Sequence, residues 1–285
     1  MRILVTGGSG FVGSSVIRRL SGSHTVVGLS RRPTPSAHES IQHDLSVPGI
    51  AAILASVAPC EVVIHAAARI DMTPFNAEVV ATNTVGALNV AALAAEWNAY
   101  VIYLSSIQVI GRPQETPITE DHPTHPLTTY HATKLFGEHM MAASVPESCS
   151  LRLTAPVGTG MPSTRILPTF VRRAATGEGL KLAGGGGRRQ DYVRADDIAE
   201  AVAACIERRP RGVYNLGAGL SLSNLELARL CIETLGSWSE ITFSDRPDPE
   251  EDARWEVSIE KARDAFGYSP HSDLREVIRA LAEQA

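Results

Sequence analysis

Arg2-Ile3-Leu4-Val5-Thr6-Gly7-Gly8-Ser9-Gly10-Phe11-Val12-Gly13 is the stretch from which the rest of the chain can be read. A short apolar run of the fully buried strand type enters a glycine-rich turn, and a helix continues through Leu20. In that order each glycine has a task. Gly7 allows the tight turn, Gly10 lets a pyrophosphate approach the backbone, and Gly13 lets the helix sit close to the strand. The phosphate would rest on free N–H groups at the helix N-terminus, which makes Gly7, Gly10, Phe11, Val12 and Gly13 candidate coenzyme contacts.

Outward from this turn, Thr25-Val26-Val27-Gly28-Leu29 is a second strand, followed by Ser30-Arg31-Arg32. An Asp or Glu at this point would bond the ribose 2′-hydroxyl of NAD. Here there is no carboxylate to repel a 2′-phosphate, and two guanidiniums can hold one, so NADP is the expected coenzyme, with NAD possible as the alternative. The competing reading is a pair of solvated loop arginines. His43-Asp44-Leu45 ends a third strand, where Asp44 either caps a helix or reaches the adenine.

Glu61 to Ala68 reads as another strand ending in small residues, which suits backbone lying close to a ligand; His65 within it reads as a core histidine. A helix over Val79 to Glu96 carries Asn83 and Gly86, and Tyr100 to Ser106 is the next strand. Strands and helices alternating at these lengths specify a parallel sheet with helices on both faces. Ligands bind such sheets beyond the C-terminal strand ends, where Ser106 stands. A strand-end serine can also bond its own backbone.

Tyr130-His131-Ala132-Thr133-Lys134 follows 24 residues after Ser106. On a helix, residues four apart share a face, so the phenol and the ammonium lie one turn apart. A lysine held near a buried tyrosine favours the phenolate and is expected to lower its pKa, giving an acid/base usable near neutral pH. Ser106, Tyr130 and Lys134 are therefore the candidate catalytic residues.

Composition bounds the remaining possibilities. The chain has 285 residues, a formal charge of -5 and four scattered cysteines without CxxC spacing. The charge disfavours a general nucleic-acid binder, and the cysteines read as buried thiols in a reducing compartment rather than as a metal site. No apolar run of membrane-spanning length is expected, and the first strand leaves no room for a signal peptide, so the expectation is a soluble, cytoplasmic protein. A main domain over 1–155 is expected, with a smaller substrate lobe over 156–285 from which 191–218 returns to the main domain. Gly184 to Arg189 reads as the most flexible stretch, and Ser223 to Leu235 as a helix opened by a capping box with Glu226.

Together these residues resemble the extended short-chain dehydrogenase/reductase family, in its nucleotide-sugar epimerase, dehydratase and reductase branch. The resemblance rests on the glycine turn, Asp44-Leu45, His65-Ala66-Ala67, Asn83, Ser105-Ser106, Tyr130 with Lys134, Leu151-Arg152, Pro156-Val157-Gly158, Asp191-Tyr192-Val193 with Asp197, and Tyr214-Asn215-Leu216-Gly217. It implies a Rossmann-type doubly wound α/β fold, with Tyr130 as acid/base, Lys134 lowering its pKa and holding the nicotinamide ribose, and Ser106 bonding the reacting oxygen. It also implies coenzyme contacts from Asp44, Leu45, Ala66, Ala67, Asn83, Pro156 and Val157.

Three positions depart from the family pattern. Dehydratases follow the hydroxyl residue with an Asp-Glu pair, and this chain has Ile107-Gln108. An Asn common in 4-epimerases is Ala155, and an Arg that clamps a nucleotide diphosphate is Gln190, with Arg188 and Arg189 beside it and Arg246 matching a second such Arg. The expected activity is NADPH-dependent reduction of a keto group on a nucleotide-activated sugar. The alternatives are an epimerase, a reductase of a non-nucleotide carbonyl compound, and a coenzyme-binding regulator. A homodimer through the helices near Val79–Glu96 and Leu127–Ala143 is also expected.

Overall fold

The computed structural model describes residues 1–47, 50, 54, 57–271 and 273–284. In chain order the first half runs β1 (Arg2–Thr6), α1 (Phe11–Leu20), β2 (Thr25–Ser30), β3 (Glu39–Gln42), β4 (Val62–His65), α2 (Ala77–Trp97), β5 (Tyr100–Ser106), α3 (Thr129–Ser144) and β6 (Ser148–Leu153). The second half continues β7 (Ala155–Val157), α4 (Ile166–Thr176), β8 (Leu180–Leu182), β9 (Arg189–Arg194), α5 (Ala195–Arg208) and β10 (Gly212–Leu216). It ends with β11 (Ser221–Ser223), α6 (Asn224–Leu235), β12 (Ile241–Phe243), α7 (Glu260–Phe266) and α8 (Arg275–Ala282).

Seven strands form the central sheet in the order β10-β6-β5-β4-β1-β2-β3, and every neighbouring pair is parallel. Successive side chains of a strand point to opposite faces, and helices cover both faces, so β1, β2, β4 and β5 are mainly apolar without alternation, whereas the edge strand β3 is polar and largely exposed. In β1, Ile3 and Val5 pack with Val16, Ile17 and Leu20 of α1, while Leu4 faces the opposite way with Val90 and Leu93 of α2. α1 lies against α5 on one face, and α2 lies against α3 on the other. The doubly wound parallel sheet expected from the alternation is the observed fold.

α2 corrects one expectation. By length and composition it could cross a membrane, with a hydropathy of 1.3 over an 18-residue window. Its apolarity has a local cause in this fold, because it packs on the sheet and alongside α3, burying Val79, Ala87, Val90, Ala91, Leu93 and Ala94.

The smaller lobe combines the three-stranded sheet β11-β9-β7 with the pair β12-β8. Its core, including Leu167, Phe170, Val171, Leu227, Cys231 and Ile278, is separate from those of the main sheet. β9 pairs with β7 and β11, so the chain rejoins the main sheet through α5 and β10. α6 begins with the expected capping box between Ser223 and Glu226. The run Gly184 to Arg189 is pinned rather than loose. Glu251 Oε1 accepts the Gly187 N–H at 2.6 Å, the Arg246 carbonyl accepts the Gly184 N–H at 3.0 Å, and Arg189 belongs to β9.

Candidate active site

The C-terminal ends of β1, β4, β5 and β6 open into a cavity of about 820 Å³, closed on the far side by the smaller lobe. This volume lies within the range of about 300–1,000 Å³ found for small-molecule sites. Its floor includes Gly7, Gly10, Phe11, Val12, Gly13, Ala66, Ser106, Tyr130, Lys134, Pro156 and Val157.

The glycine turn is as tight as its sequence implies. Gly7 has φ of 70°, and a Cβ there would lie 2.7 Å from the backbone of Ala67; one at Gly13 would lie 2.3 Å from the Gly7 carbonyl oxygen. Ala67 thus abuts Gly7 rather than lining the cavity. α1 has Gly10 as its N-cap, with no side-chain cap and no acidic residue in its first turn. Its first-turn residues Phe11, Val12 and Gly13 line the cavity, and the unpaired N–H groups of a helix N-terminus form an anion cradle, so the residues present fit the pyrophosphate of a dinucleotide.

α3 presents three polar side chains in line on its buried face: Tyr130, Lys134 and Glu138. Thr128 caps the helix by accepting the His131 N–H, which fixes its start and the direction of Tyr130. Lys134 Nζ donates to the Leu104 carbonyl at 2.7 Å and lies 5.9 Å from the Tyr130 ring centroid and 5.1 Å from that of Tyr103. Burial lowers the Lys134 ammonium to about 8, opposed by the Glu138 carboxylate. One turn on, Glu138 accepts the Ser105 hydroxyl at 2.5 Å and pairs with Arg152 at 2.9 Å, both partners of the pair being buried. This anchors β5 directly beside Ser106.

Tyr130 does not carry the lowered pKa expected of it. Its phenol is pushed up to about 12 because burial outweighs the neighbouring Arg165 guanidinium, which acts in the opposite direction. Lys134, with its own charge weakened by burial and its Nζ on Leu104, does not offset that desolvation. Burial therefore favours the neutral phenol over the phenolate. Ser106 Oγ lines the cavity and also accepts the Gln108 N–H at 3.3 Å, combining both roles considered for it. His65 is a core residue, bonded through Nδ1 to Thr6 Oγ1 at 2.7 Å and held neutral by burial, with its pKa near 3.

Several candidate contacts are placed differently from expectation. Asn83 spends its side chain on Arg69 N–H, the Arg69 carbonyl and Thr133 Oγ1, so it holds the loop after β4 instead of reaching the cavity. Leu45 packs its side chain into the core. Asp44 Oδ1 accepts the Ser46 N–H at 2.9 Å and its hydroxyl at 2.7 Å, closing a turn and holding the carboxyl below its usual range. Ser30 Oγ accepts the Ser9 N–H, while Arg31 and Arg32 are exposed at the end of β2.

On the lobe side, Arg188 and Gln190 line the cavity. Arg189 faces away, bonding Ser221 and pairing with Glu226 at 3.0 Å, and Arg246 is exposed outside the cavity wall. Arg188 is paired with Glu250 at 2.7 Å. Arg165, Tyr192, Glu250 and Trp255 are lining residues that sequence reasoning did not assign. Tyr192 stood in a quoted motif, but Arg165 and Trp255 reach the site from loops with no local signal. The Tyr192 hydroxyl and Trp255 Nε1 are buried without a hydrogen-bond partner among the described residues.

The model of the NAD dependent epimerase/dehydratase family matches residues 3–217. A UDP-glucose 4-epimerase of Mycolicibacterium smegmatis is 30% identical over 312 residues, covering 99% of this chain and 98% of that protein. Among solved structures, a UDP-glucose 4-epimerase from Thermotoga maritima with UDP-glucose superposes with a TM-score of 0.89 at 23% identity, covering 99% of this chain and 98% of the other. The Bordetella bronchiseptica enzyme WbmG in complex with NAD gives a TM-score of 0.87 at 25% identity, covering 99% and 93%. Fold, glycine turn and the cavity around Ser106, Tyr130 and Lys134 agree with these matches: the chain is an enzyme of the NAD dependent epimerase/dehydratase family.

Proposed function

We propose that this enzyme oxidises an alcohol carbon of a nucleotide-activated sugar and reduces the resulting ketone again, an epimerase reaction. The observation that carries this reading is that Ser106, Tyr130 and Lys134 line one cavity with the glycine turn, while Ile107-Gln108 supplies no acid/base pair after Ser106 for removing water. Ser106 holds the reacting oxygen. Tyr130 gives that oxygen its proton in the reductive direction and accepts it in the oxidative one, where the Arg165 cation favours the phenolate.

Gly7, Gly10, Phe11, Val12 and Gly13 would hold the coenzyme's pyrophosphate, with Ala66, Pro156, Val157 and Lys134 around its nicotinamide end. When bound, the coenzyme supplies the hydride acceptor and donor. Support for a nucleotide-sugar substrate comes from the relatives, and Arg188 and Arg165 provide cationic groups for a diphosphate on the lobe side.

A second reading, net reduction of a keto sugar by NADPH, is favoured by Arg31 and Arg32 at the end of β2 with no carboxylate beside them. Incubation with UDP-, dTDP- and GDP-sugars separates the two. An epimerase interconverts sugars without net coenzyme turnover and purifies with coenzyme bound; a reductase consumes NADPH stoichiometrically. Tyr130→Phe should lower turnover by about 10²- to 10⁴-fold with coenzyme affinity retained. Retention of most of the turnover by this variant would remove Tyr130 from the mechanism.

A further inference from the structure

The first turn of α3 carries a buried imidazole that the reaction described above does not use. His131 directly follows Tyr130, is 6% exposed, and lines the same cavity. Its ring stands edge-on to that of Tyr130 with centroids 5.3 Å apart. Nδ1 lies 2.8 Å from Thr128 Oγ1, while Nε2 is buried with no hydrogen-bond partner among the described residues. Buried polar side-chain atoms are paired in the large majority of cases, so an unpaired one in a residue that lines the cavity calls for a partner from outside the chain.

Which proton it offers follows from its neighbour. The Thr128 hydroxyl already accepts the His131 backbone N–H as the helix cap. It has a single proton to give. Giving that proton to Nδ1 satisfies both groups and leaves the ring proton on Nε2. Burial keeps the imidazole neutral, with its pKa pushed down to about 4, and the positive end of the helix dipole acts in the same direction. A neutral N–H donor beside the acid/base suits a sugar hydroxyl better than a phosphate or carboxylate, for which a cation is the stronger partner.

We propose that His131 Nε2–H holds a sugar hydroxyl neighbouring the reacting carbon, making His131 a specificity-determining contact of the sugar subsite. The assignment rests on the nucleotide-sugar reading and deepens it. His131 offers this contact from the same helix that carries Tyr130.

The test compares wild type with His131→Phe, which keeps a ring against Tyr130 without a donor, and with His131→Gln, which returns an N–H near the Nε2 position. Calorimetry with NAD present measures binding of UDP-, dTDP- and GDP-glucose and of the matching nucleoside diphosphates. His131→Phe should weaken the best-binding nucleotide sugar by about tenfold, with its nucleotide and NAD bound as in wild type, and His131→Gln should recover most of the loss. Equal sugar affinities in all three proteins overturn the assignment, as does a parallel loss of nucleotide and NAD, which marks a merely structural role. If wild type binds NAD but no nucleotide or nucleotide sugar, the substrate reading falls, and the His131 assignment falls with it. Should His131→Phe fail to fold, His131→Leu replaces it with the same expected outcomes.

Discussion

Replacing Lys134 by Met should make the protein more stable at neutral pH while removing activity. Lys134 is 4% exposed, and burial brings its pKa from 10.5 to about 8. At about 1.36 kcal/mol per pKa unit, the fold spends roughly 3 kcal/mol at pH 7 to keep this group charged. Met fills a similar volume but loses the donor to Leu104, which costs about 1–3 kcal/mol for an acceptor left unpaired. The expected balance is a gain of about 1 kcal/mol.

The pH dependence is sharper than the balance. With the folded pKa near 8 below the unfolded 10.5, the unfolded chain binds the extra proton between these values. Wild-type stability therefore rises with pH through that window and falls as pH drops back toward 8. The advantage of the Met variant is complete below about pH 8 and changes by roughly 2 kcal/mol between pH 7 and about pH 9.5, so that wild type becomes the more stable of the two at the higher pH. Urea unfolding of both proteins at the two pH values measures this. A stability difference that stays constant between them would refute the claim that Lys134 is held at a depressed pKa.

Other outcomes follow from the same geometry. Glu138→Ala strands the buried Arg152 guanidinium and should cost about 3–5 kcal/mol, read by denaturant unfolding, with Ser106 losing its anchor through Ser105. Wild type should bind NADPH more tightly than NADH by roughly 10- to 150-fold through Arg31 and Arg32, and Ser30→Asp with Arg31→Ala should reverse the order; equal affinities in wild type would remove the basis for NADP preference. Ser106→Ala should reduce turnover less than Tyr130→Phe, because Ser106 positions the oxygen without transferring its proton. Val80, Leu88 and Leu127 are exposed on or beside α2 and α3, and light scattering should report a homodimer at micromolar concentration; a monomer would exclude that assembly.

The parts of this protein legible in its sequence are those governed by short-range rules. Apolar runs broken by glycine turns and helices mark a parallel sheet because both faces of each strand are covered. The Gly7 to Gly13 turn, the Ser223–Glu226 capping box and the one-turn spacing of Tyr130 and Lys134 each depend on residues within a few positions of one another. The chain's neighbours in space decided the rest. Whether Arg188 or Arg189 faces the cavity is set by Glu250, Ser221 and Glu226, and Arg246 lies outside it although its position matched. Asn83 serves a loop because Arg69 and Thr133 meet it first. The direction of the Tyr130 pKa shift reversed for the same reason. Spacing puts a lysine beside a tyrosine, but only packing determines how much water each has lost, and in this site desolvation of the phenol outweighs the nearby positive charge.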